Sequence, residues 1–522
     1  MESDLSDLNA QQEYAFRMYE SGKSFSIVGA GGVGKSFVLN KIIKDASEKF
    51  ENREPGGSKR FIGVTATTGI SACLLNGTTL HSWGHLGLAK KPAKDLIKKI
   101  KNKGGDYLLR WMECKLLIID EISMLSAELF EKIHDVACGL RKNDFFFGGI
   151  QVILSGDFAQ LPPIDKKKRV RFTFESDIWK KYVTNNTVYL TEIVRQSDPV
   201  FQEILTQSRM GYLDKKNTER LKKRVVTIDK FKVIAKKMAK ETGITPTILY
   251  PHNADVDRIN NEKLDKLINK GVDNHEYYPE YKVIPNKYLS TVQKKRVYAT
   301  IIKEFDHSEG TVVDYPPIKD SRANRYLQLA IGCQVILTHN LNVSGKLVNG
   351  SKGVVIGFDE DDKPRVHFDN GSDLTVEKQP DVTEMAGCDI FVYQYPLKLA
   401  YCLTIHKSQG MTIPYMACDL SRCFSPGQGY TALGRGRDLS GLYLMGLNIS
   451  AIKCHPLVKE YYSNLSYKCN YNMNKNCASW KERSRVGSPF SHIQLCNDCL
   501  IHLIKYTYKE ESVCNNILKH LN

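Results

Sequence analysis

No run of apolar residues in this chain approaches the eighteen or so needed to cross a bilayer, which argues against a membrane span. The first residues, Met1-Glu2-Ser3-Asp4, are acidic and lack an apolar core, so they read as neither a secretory signal nor an arginine-rich transit peptide. The protein is expected to stay in the compartment in which it is made. There is no repeat at solenoid periods and no long low-complexity tract, which excludes repeat arrays. Acidic residues are in deficit: 58 Asp and Glu against 74 Lys and Arg leave a formal charge of +16, which suits a polyanionic partner through phosphate neutralisation. The 14 cysteines are scattered over 522 residues, which favours reduced thiols or metal ligands over a disulfide framework. What is present is ordinary for a globular chain, 42 % hydrophobic and 25 % charged, and long enough for several domains.

The most informative segment is Gly29-Ala30-Gly31-Gly32-Val33-Gly34-Lys35-Ser36, placed between a β-rich run at 25–28 and a helical pattern at 37–44. A glycine-rich turn between strand and helix lets backbone N–H groups surround phosphate, with Lys35 as a point charge and Ser36 as a hydroxyl for magnesium. Downstream, Leu116-Leu117-Ile118-Ile119 delivers Asp120-Glu121 at its end. Asp120 is expected to hold the metal and Glu121 to orient or deprotonate the attacking water, because phosphoryl transfer asks mainly for positioning and charge stabilisation. Short β-rich runs at 61–65, 116–120 and 151–155 alternate with helical stretches, the pattern of a parallel sheet with ligands at the carboxyl ends of its strands. A Lys-rich, Gly-interrupted segment between Trp83 and Glu113 breaks the rhythm as a small insertion. Further strands are expected at 247–250, 332–337 and 397–405, with several short alternating runs over 352–395 that suggest a small β-barrel; residues 262–325 carry no assignable pattern.

More motifs follow in order: Gly156-Asp157-Phe158-Ala159-Gln160-Leu161-Pro162-Pro163, Leu190-Thr191-Glu192-Ile193-Val194-Arg195-Gln196, Leu403-Thr404-Ile405-His406-Lys407-Ser408-Gln409-Gly410 and Tyr430-Thr431-Ala432-Leu433-Gly434-Arg435. An amide at a strand end and two separated arginines are what a nucleotide site needs in order to sense and neutralise the transferring phosphoryl group. Trp83, Phe158 and Tyr430 are candidates for base stacking, with core packing the expected role for at least two of them. The run Asp165-Lys166-Lys167-Lys168-Arg169-Val170-Arg171 reads equally as a phosphate-contact loop, a nuclear address or a solvated loop.

The ordered set resembles superfamily 1 helicases of the 5′-to-3′ branch, and specifically the petite-integration-frequency (PIF-type) DNA helicases. The segments Glu121-Ile122-Ser123-Met124-Leu125, Phe147-Gly148-Gly149-Ile150-Gln151, Thr65-Ala66-Thr67-Thr68-Gly69-Ile70 and Gly77-Thr78-Thr79-Leu80-His81-Ser82-Trp83 carry that resemblance, which extends over about residues 8–462. It implies an α/β fold with two RecA-like P-loop NTPase domains and small inserted subdomains; the residues past it add a C-terminal Cys-rich extension. The expected division is 1–82 and 114–190 (domain 1A), 83–113 (wedge-like insertion 1B), 191–340 and 396–465 (domain 2A), 341–395 (insertion 2B) and 466–522 (tail). It implies an ATP- and Mg2+-dependent helicase that translocates on single-stranded DNA and unwinds tailed duplex in replication, recombination or repair. Gln12 is then the adenine contact, residues 29–36 together with Gly410 the nucleotide-binding set, and Lys35, Asp120, Glu121, Gln160, Arg195 and Arg435 the catalytic set. Thr65, Thr67, His81 and His406 are implied to lie along DNA. One departure is Gly434 where similar helicases have serine; with Gly436 it is expected to loosen the backbone beside Arg435, with Arg437 as a substitute. Two alternatives stay open: a nucleotide-switched scaffold without processive unwinding, and a RecD-like subunit of a larger nuclease.

Beyond the resemblance, Cys469, Cys477 and the pair Cys496-Asn497-Asp498-Cys499 fit a structural Zn2+ site against a competing reading as free or buried thiols, in a module that would bind either DNA or a protein, replication or repair proteins among them. A DNA partner and reduced thiols together point to the nucleus or the place where the genome is replicated.

Overall fold

The computed structural model describes residues 5–466 apart from 55, 57–59, 88, 164–170, 194–197, 243–245, 286–325, 340, 342–346, 348–350, 386–387, 412 and 414. Arg195, most of the basic run 165–171, and the tail with Cys469, Cys477, Cys496 and Cys499 therefore lie outside the described residues. The chain divides into two compact units, Met1–Ile244 with Thr412–Asn522, and Thr245–Met411. The boundary expected near residue 191 falls inside the first of these.

The first unit is a mixed α/β structure built on a parallel sheet. Its strands β1 (Phe25–Gly29), β2 (Ile62–Ala66), β3 (Thr78–Thr79), β4 (Leu116–Asp120), β5 (Gln151–Gly156) and β6 (Thr187–Leu190) lie in the order β3-β2-β4-β5-β1-β6, every pairing parallel. Central strands covered on both faces have no reason to alternate, and β1 and β4 are buried at every position. Phe16, Phe25, Ile27, Leu39, Ile42, Ile118, Ile153 and Val188 pack into one core around β1, which fixes the ends of β1, β4 and β5 at a single edge. The helix Ala10–Glu20 opens with a capping box, Gln12 N–H to Asn9 Oδ1 at 2.9 Å and Asn9 N–H to Gln12 Oε1 at 3.2 Å, satisfying two amides that the helix itself leaves free.

The Lys-rich insertion is two helices, Ala93–Lys103 and Gly105–Glu113, docked on the sheet domain. Trp111 is fully buried, its ring 4.8 Å from that of Trp83 and its Nε1 donating to the Gly84 carbonyl at 3.2 Å. Arg141, ending the helix Ala127–Arg141, donates through Nη1 to the Trp111 and Met112 carbonyls at 2.7 Å each, supplying partners to the open end of the second inserted helix.

In the second unit β7 (Thr247–Tyr250) is followed by the helix Asn253–Ile268 and by strands β8 (Asn274–Tyr277), β9 (Glu280–Pro285), β10 (Leu327–Ala330), β11 (Gln334–Leu337), β12 (Lys352–Phe358), β13 (Pro364–Phe368), β14 (Asp373–Thr375), β15 (Gln379–Met385), β16 (Cys388–Gln394), β17 (Leu397–Leu399) and β18 (Cys402–Thr404). Strands β14-β13-β12-β11-β17 form an antiparallel sheet around Val335, Leu337, Val355, Val366 and Phe368, and β15-β16-β9 form a second. Residues 262–285, unassigned from sequence, hold the end of a helix and two strands. The single strand expected over 397–405 is two, because the buried Asn260 side chain takes the Leu399 and Cys402 carbonyls at 3.2 Å and the Cys402 N–H at 3.0 Å, bending the chain between them. Back in the first unit, β19 (Met416–Leu420) pairs in parallel with β20 (Leu442–Leu447), and the helices Gln428–Leu433 and Pro456–Ser466 complete it. Among the described residues no helix is long and apolar enough to cross a membrane.

Replacing Trp111 with alanine is expected to cost about 3–5 kcal/mol, as for other buried large-to-small changes, whereas the exposed Met112→Ala stays within about 0.5 kcal/mol. Urea unfolding of the two variants followed by tryptophan fluorescence checks this.

Candidate functional site

At the end of β1 the chain turns through residues 29–34 into the helix Lys35–Arg53. Gly34 caps that helix at φ +82°, a backbone that favours glycine, and a Cβ there would lie 2.3 Å from the end of the Gln12 side chain, Nε2. Gln12 is only 4 % exposed and its amide also reaches the Val33 carbonyl at 3.4 Å, which ties the N-terminal helix to the loop. Gln11 meets Thr191 through Nε2 to Oγ1 at 3.0 Å and through Oε1 from N–H at 2.8 Å, and this fastens the same helix to the segment after β6. The Lys35 ammonium donates to the Gly29 and Ala30 carbonyls at 2.8 Å each, lying along the loop. Burial pushes it below the usual lysine range, against the pull of the Asp157, Glu121 and Asp120 carboxylates.

Asp120 closes β4 and is 6 % exposed; burial, and then the adjoining Glu121 carboxylate, push it up to about 6. Glu121 has left-handed backbone, φ 55° and ψ 46°, a conformation that non-glycine residues seldom adopt. Thr67 secures this turn: its N–H donates to the Asp120 carbonyl at 3.1 Å and its hydroxyl to the Glu121 carbonyl at 2.7 Å. Thr65 is fully buried and its hydroxyl donates to the Ile118 carbonyl at 2.7 Å. Its side chain is committed to the core, where strand alternation at the end of β2 puts it.

Motif residues far apart in sequence meet at the loop. Gly31 N–H donates to the Tyr430 hydroxyl at 3.0 Å, and Tyr430 donates to Asp157 Oδ2 at 3.0 Å. Burial and the Asp157 carboxylate keep the Tyr430 phenol well above its usual range, so it stays protonated and donates. Asp157, fully buried, also receives Arg209 Nη2 at 3.0 Å, the Tyr462 hydroxyl at 2.9 Å and Ala159 N–H at 3.1 Å. Arg209 lies 4.0 Å over the Tyr462 ring and donates to the Tyr189 hydroxyl at 3.1 Å. Beside this cluster, Arg435 Nη2 reaches Gln160 Oε1 at 3.4 Å while its Nε donates to the Thr431 carbonyl at 3.0 Å; both side chains are under 5 % exposed. Gly427, which precedes the helix Gln428–Leu433, has φ +77° and packs directly on the Gln160 and Ala159 carbonyls.

Several expectations are revised here. Gly434 has ordinary right-handed backbone, φ −66° and ψ −5°, capping the helix through hydrogen bonds rather than loosening it. Arg437 pairs with Asp438 at 3.0 Å on the surface, so Arg435 is the arginine that meets Gln160. Trp83, Phe158 and Tyr430 are all buried, in keeping with the core packing expected of at least two of them. His81 is half-buried on the first unit, in the short helix Leu80–Trp83 capped by the Thr79 hydroxyl. His406 and Gly410 belong to the second unit, where burial lowers the His406 pKa. Sequence reasoning gave no role to Asp157 or Arg209. The signal for the first was an acidic residue one step past a strand with the apolar centre Val152-Ile153-Leu154; Arg209 sits in no motif.

A glycine-rich loop between β1 and a helix, with an acidic pair at the end of the second strand away, defines a P-loop nucleotide-binding α/β protein. Comparison narrows the class. Residues 7–218 match the family model for PIF1-like helicase, and residues 320–358 that for the DNA helicase Pif1 2B domain. The chain is 34 % identical over 462 residues to the ATP-dependent DNA helicase PIF1 of Danio rerio, covering 88 % of this chain and 64 % of that protein. It is 32 % identical to Uncharacterized protein 030L of Invertebrate iridescent virus 6, covering 88 % of this chain and 94 % of the other. The crystal structure of Pif1 helicase from Candida albicans superposes with a TM-score of 0.70 at 32 % identity, over 88 % of this chain and 99 % of that one. That of Pif1 helicase from Bacteroides in complex with ADP-AlF3 and ssDNA shares the fold, at a TM-score of 0.63 and 24 % identity over 89 % and 98 % of the two chains. The chain belongs to the PIF1-like helicase family, and spans just under two thirds, 64 %, of the length of the vertebrate relatives it matches.

Burial raises the Asp157 pKa, but Arg209 and then Lys35 outweigh it and hold the carboxyl below the usual range. Stability from the pair is therefore present above about pH 4, where an unfolded aspartate ionises, and is lost as pH falls through the lower folded value. Asp157→Asn should destabilise by about 3–5 kcal/mol at pH 7, since it strands a buried guanidinium. In denaturant titrations repeated at falling pH, that gap should begin to close below about pH 4.

Proposed function

We propose that the chain is an ATP-dependent DNA helicase that moves 5′-to-3′ on single-stranded DNA and opens duplex ahead of it, acting in replication, recombination or repair. The observation that carries this reading is the meeting of the P-loop with Tyr430, and of Gln160 with Arg435, inside one compact unit of a chain from a helicase family. In this reading the amides of residues 29–34 and Lys35 hold the phosphates, and Gln12 faces the adenine edge with the amide hydrogen that Val33 leaves over. Glu121 orients the attacking water, its carboxylate aimed by the left-handed turn that Thr67 secures. Gln160 reads the γ-phosphate, and Arg435, with Arg195, stabilises charge that develops on it.

A magnesium ion fits the donor set. Among the described residues no three His, Cys, Asp or Glu side chains gather to hold a metal, and Ser36 with Asp120 offers two hard oxygen donors of the kind that bind Mg2+ together with phosphate oxygens. Burial, and then the Glu121 carboxylate, raise the Asp120 carboxyl, and a divalent cation beside it would favour the ionised form. When bound, the ion would neutralise charge on the β- and γ-phosphates.

The finer organisation belongs to the same proposal: two RecA-like domains, 1A (1–82, 114–190) and 2A (191–340, 396–465), with 83–113 as a duplex-splitting insertion, 341–395 as 2B, and a tail that takes Zn2+ and partners. Thr67, His81 and His406 would follow the DNA strand, Thr67 linking strand to Glu121. A nuclear or replication-site location follows from a DNA substrate.

Single-stranded DNA should stimulate ATP hydrolysis, and Glu121→Gln should lower kcat by about 10²-fold or more. A 5′-tailed duplex should open and a 3′-tailed one stay closed, with unwinding but not hydrolysis lost when residues 90–104 become a short linker. DNA-independent turnover, or opening of the 3′-tailed substrate, would overturn the assignment.

A further inference from the structure

The P-loop amides are the groups that cradle phosphate in a nucleotide site, yet one of them already has a protein partner. Gly31 N–H donates to the Tyr430 hydroxyl at 3.0 Å. A Cβ on Gly31 would stand 3.7 Å from that hydroxyl and 3.9 Å from Gln160 Nε2, so loop, tyrosine and glutamine close on one small space. The Tyr430 proton is given to Asp157 Oδ2 at 3.0 Å, which leaves its oxygen as the acceptor for Gly31. Behind it, Asp157 is anchored by Arg209 and by Tyr462, and the Tyr462 oxygen accepts Phe158 N–H at 3.0 Å.

We propose that Tyr430 is a positioning residue of the nucleotide site: its hydroxyl and a phosphate oxygen compete for the Gly31 N–H, so that nucleotide binding is read out as release of Tyr430 from the loop. The proposal rests on residues 29–36 binding nucleotide. Its consequence follows from the helix that carries Tyr430. That helix, Gln428–Leu433, follows Gly427, seated on the Gln160 and Ala159 carbonyls, and is followed two residues on by Arg435, whose Nε donates back to the Thr431 carbonyl at 3.0 Å. Tyr430 therefore cannot leave Gly31 without disturbing the frame in which Gln160 and Arg435 meet. One hydroxyl couples occupancy of the loop to the placement of the amide and the arginine that serve the γ-phosphate. The asymmetry of the cluster makes this specific. Tyr462 supports Asp157 from the far side and has no contact with the loop among its hydrogen bonds to Asp157 and Phe158.

The test is titration of the full chain with a fluorescent N-methylanthraniloyl ADP in the absence of DNA. Tyr430→Phe removes the competitor and should tighten ADP binding about fivefold, the worth of one exchanged hydrogen bond. Tyr462→Phe, which also takes one hydroxyl from Asp157, should stay within about twofold of the parent. A purely packing role for Tyr430 would leave affinity unchanged or weaken it, and either result overturns the inference. A parent chain that binds no ADP would instead overturn the nucleotide site itself. Should Tyr430→Phe fail to fold, hydrogen exchange of the parent decides: saturating ADP should change protection of the amides of 428–433, and identical exchange with and without ADP counts against the proposal.

Discussion

A carboxylate removed entirely from water, Asp157, is the constraint on which the rest of the site depends. Isolated, such a charge would be expelled or neutralised; here Arg209 and two tyrosine hydroxyls share it. Buried ion pairs seldom add much net stability over a well-packed apolar alternative, because desolvation offsets the attraction. What they impose is position, since each partner has only one place where the charge is satisfied. Asp157 sits one residue past β5, Arg209 ends the helix Pro199–Arg209, Tyr430 lies in the helix before Arg435, and Tyr462 comes from the last described helix. Four segments spread over about three hundred residues are thereby referred to one point beside the P-loop.

The parallel sheet supplies the other half of the geometry. Because β1, β4 and β5 end at the same edge, the glycine-rich loop, the acidic pair and the Asp157 to Gln160 segment emerge side by side without long connections. The edge is not relaxed everywhere. Glu121 has left-handed backbone, and it is secured there by Thr67, a residue of the neighbouring strand's exit, through the carbonyls of Asp120 and Glu121. A backbone of this kind persists only where its surroundings over-determine it, and an aimed carboxylate is a physical reason for it.

Much of this was legible in the sequence, for identifiable reasons. The P-loop and Asp120-Glu121 announce themselves because glycine spacing and an unbroken apolar strand are local patterns, and β4 and β7 run over the very residues expected of them. The family likeness held for the same reason: it rests on ordered local motifs. Less legible was anything decided by tertiary contact. The pairing of Asp157 with Arg209, fifty-two positions apart, has no periodicity. The break between β17 and β18 follows from one asparagine on a distant helix. Gly434 shows the converse, since its freedom goes unused when the helix end is fixed by hydrogen bonds from Gly427 to Arg435.

The central claim is that one chain completes its own hydrolytic site by bringing Arg435 to Gln160 at the P-loop. The most direct measurement is steady-state ATP hydrolysis on saturating single-stranded DNA by Arg435→Ala, beside equilibrium binding of a non-hydrolysable ATP analogue. The account predicts a fall in kcat of about 10³-fold or more, the scale of an arginine that stabilises the transferring phosphoryl group, with analogue affinity changed far less. A variant that hydrolyses ATP at the parental rate would contradict it.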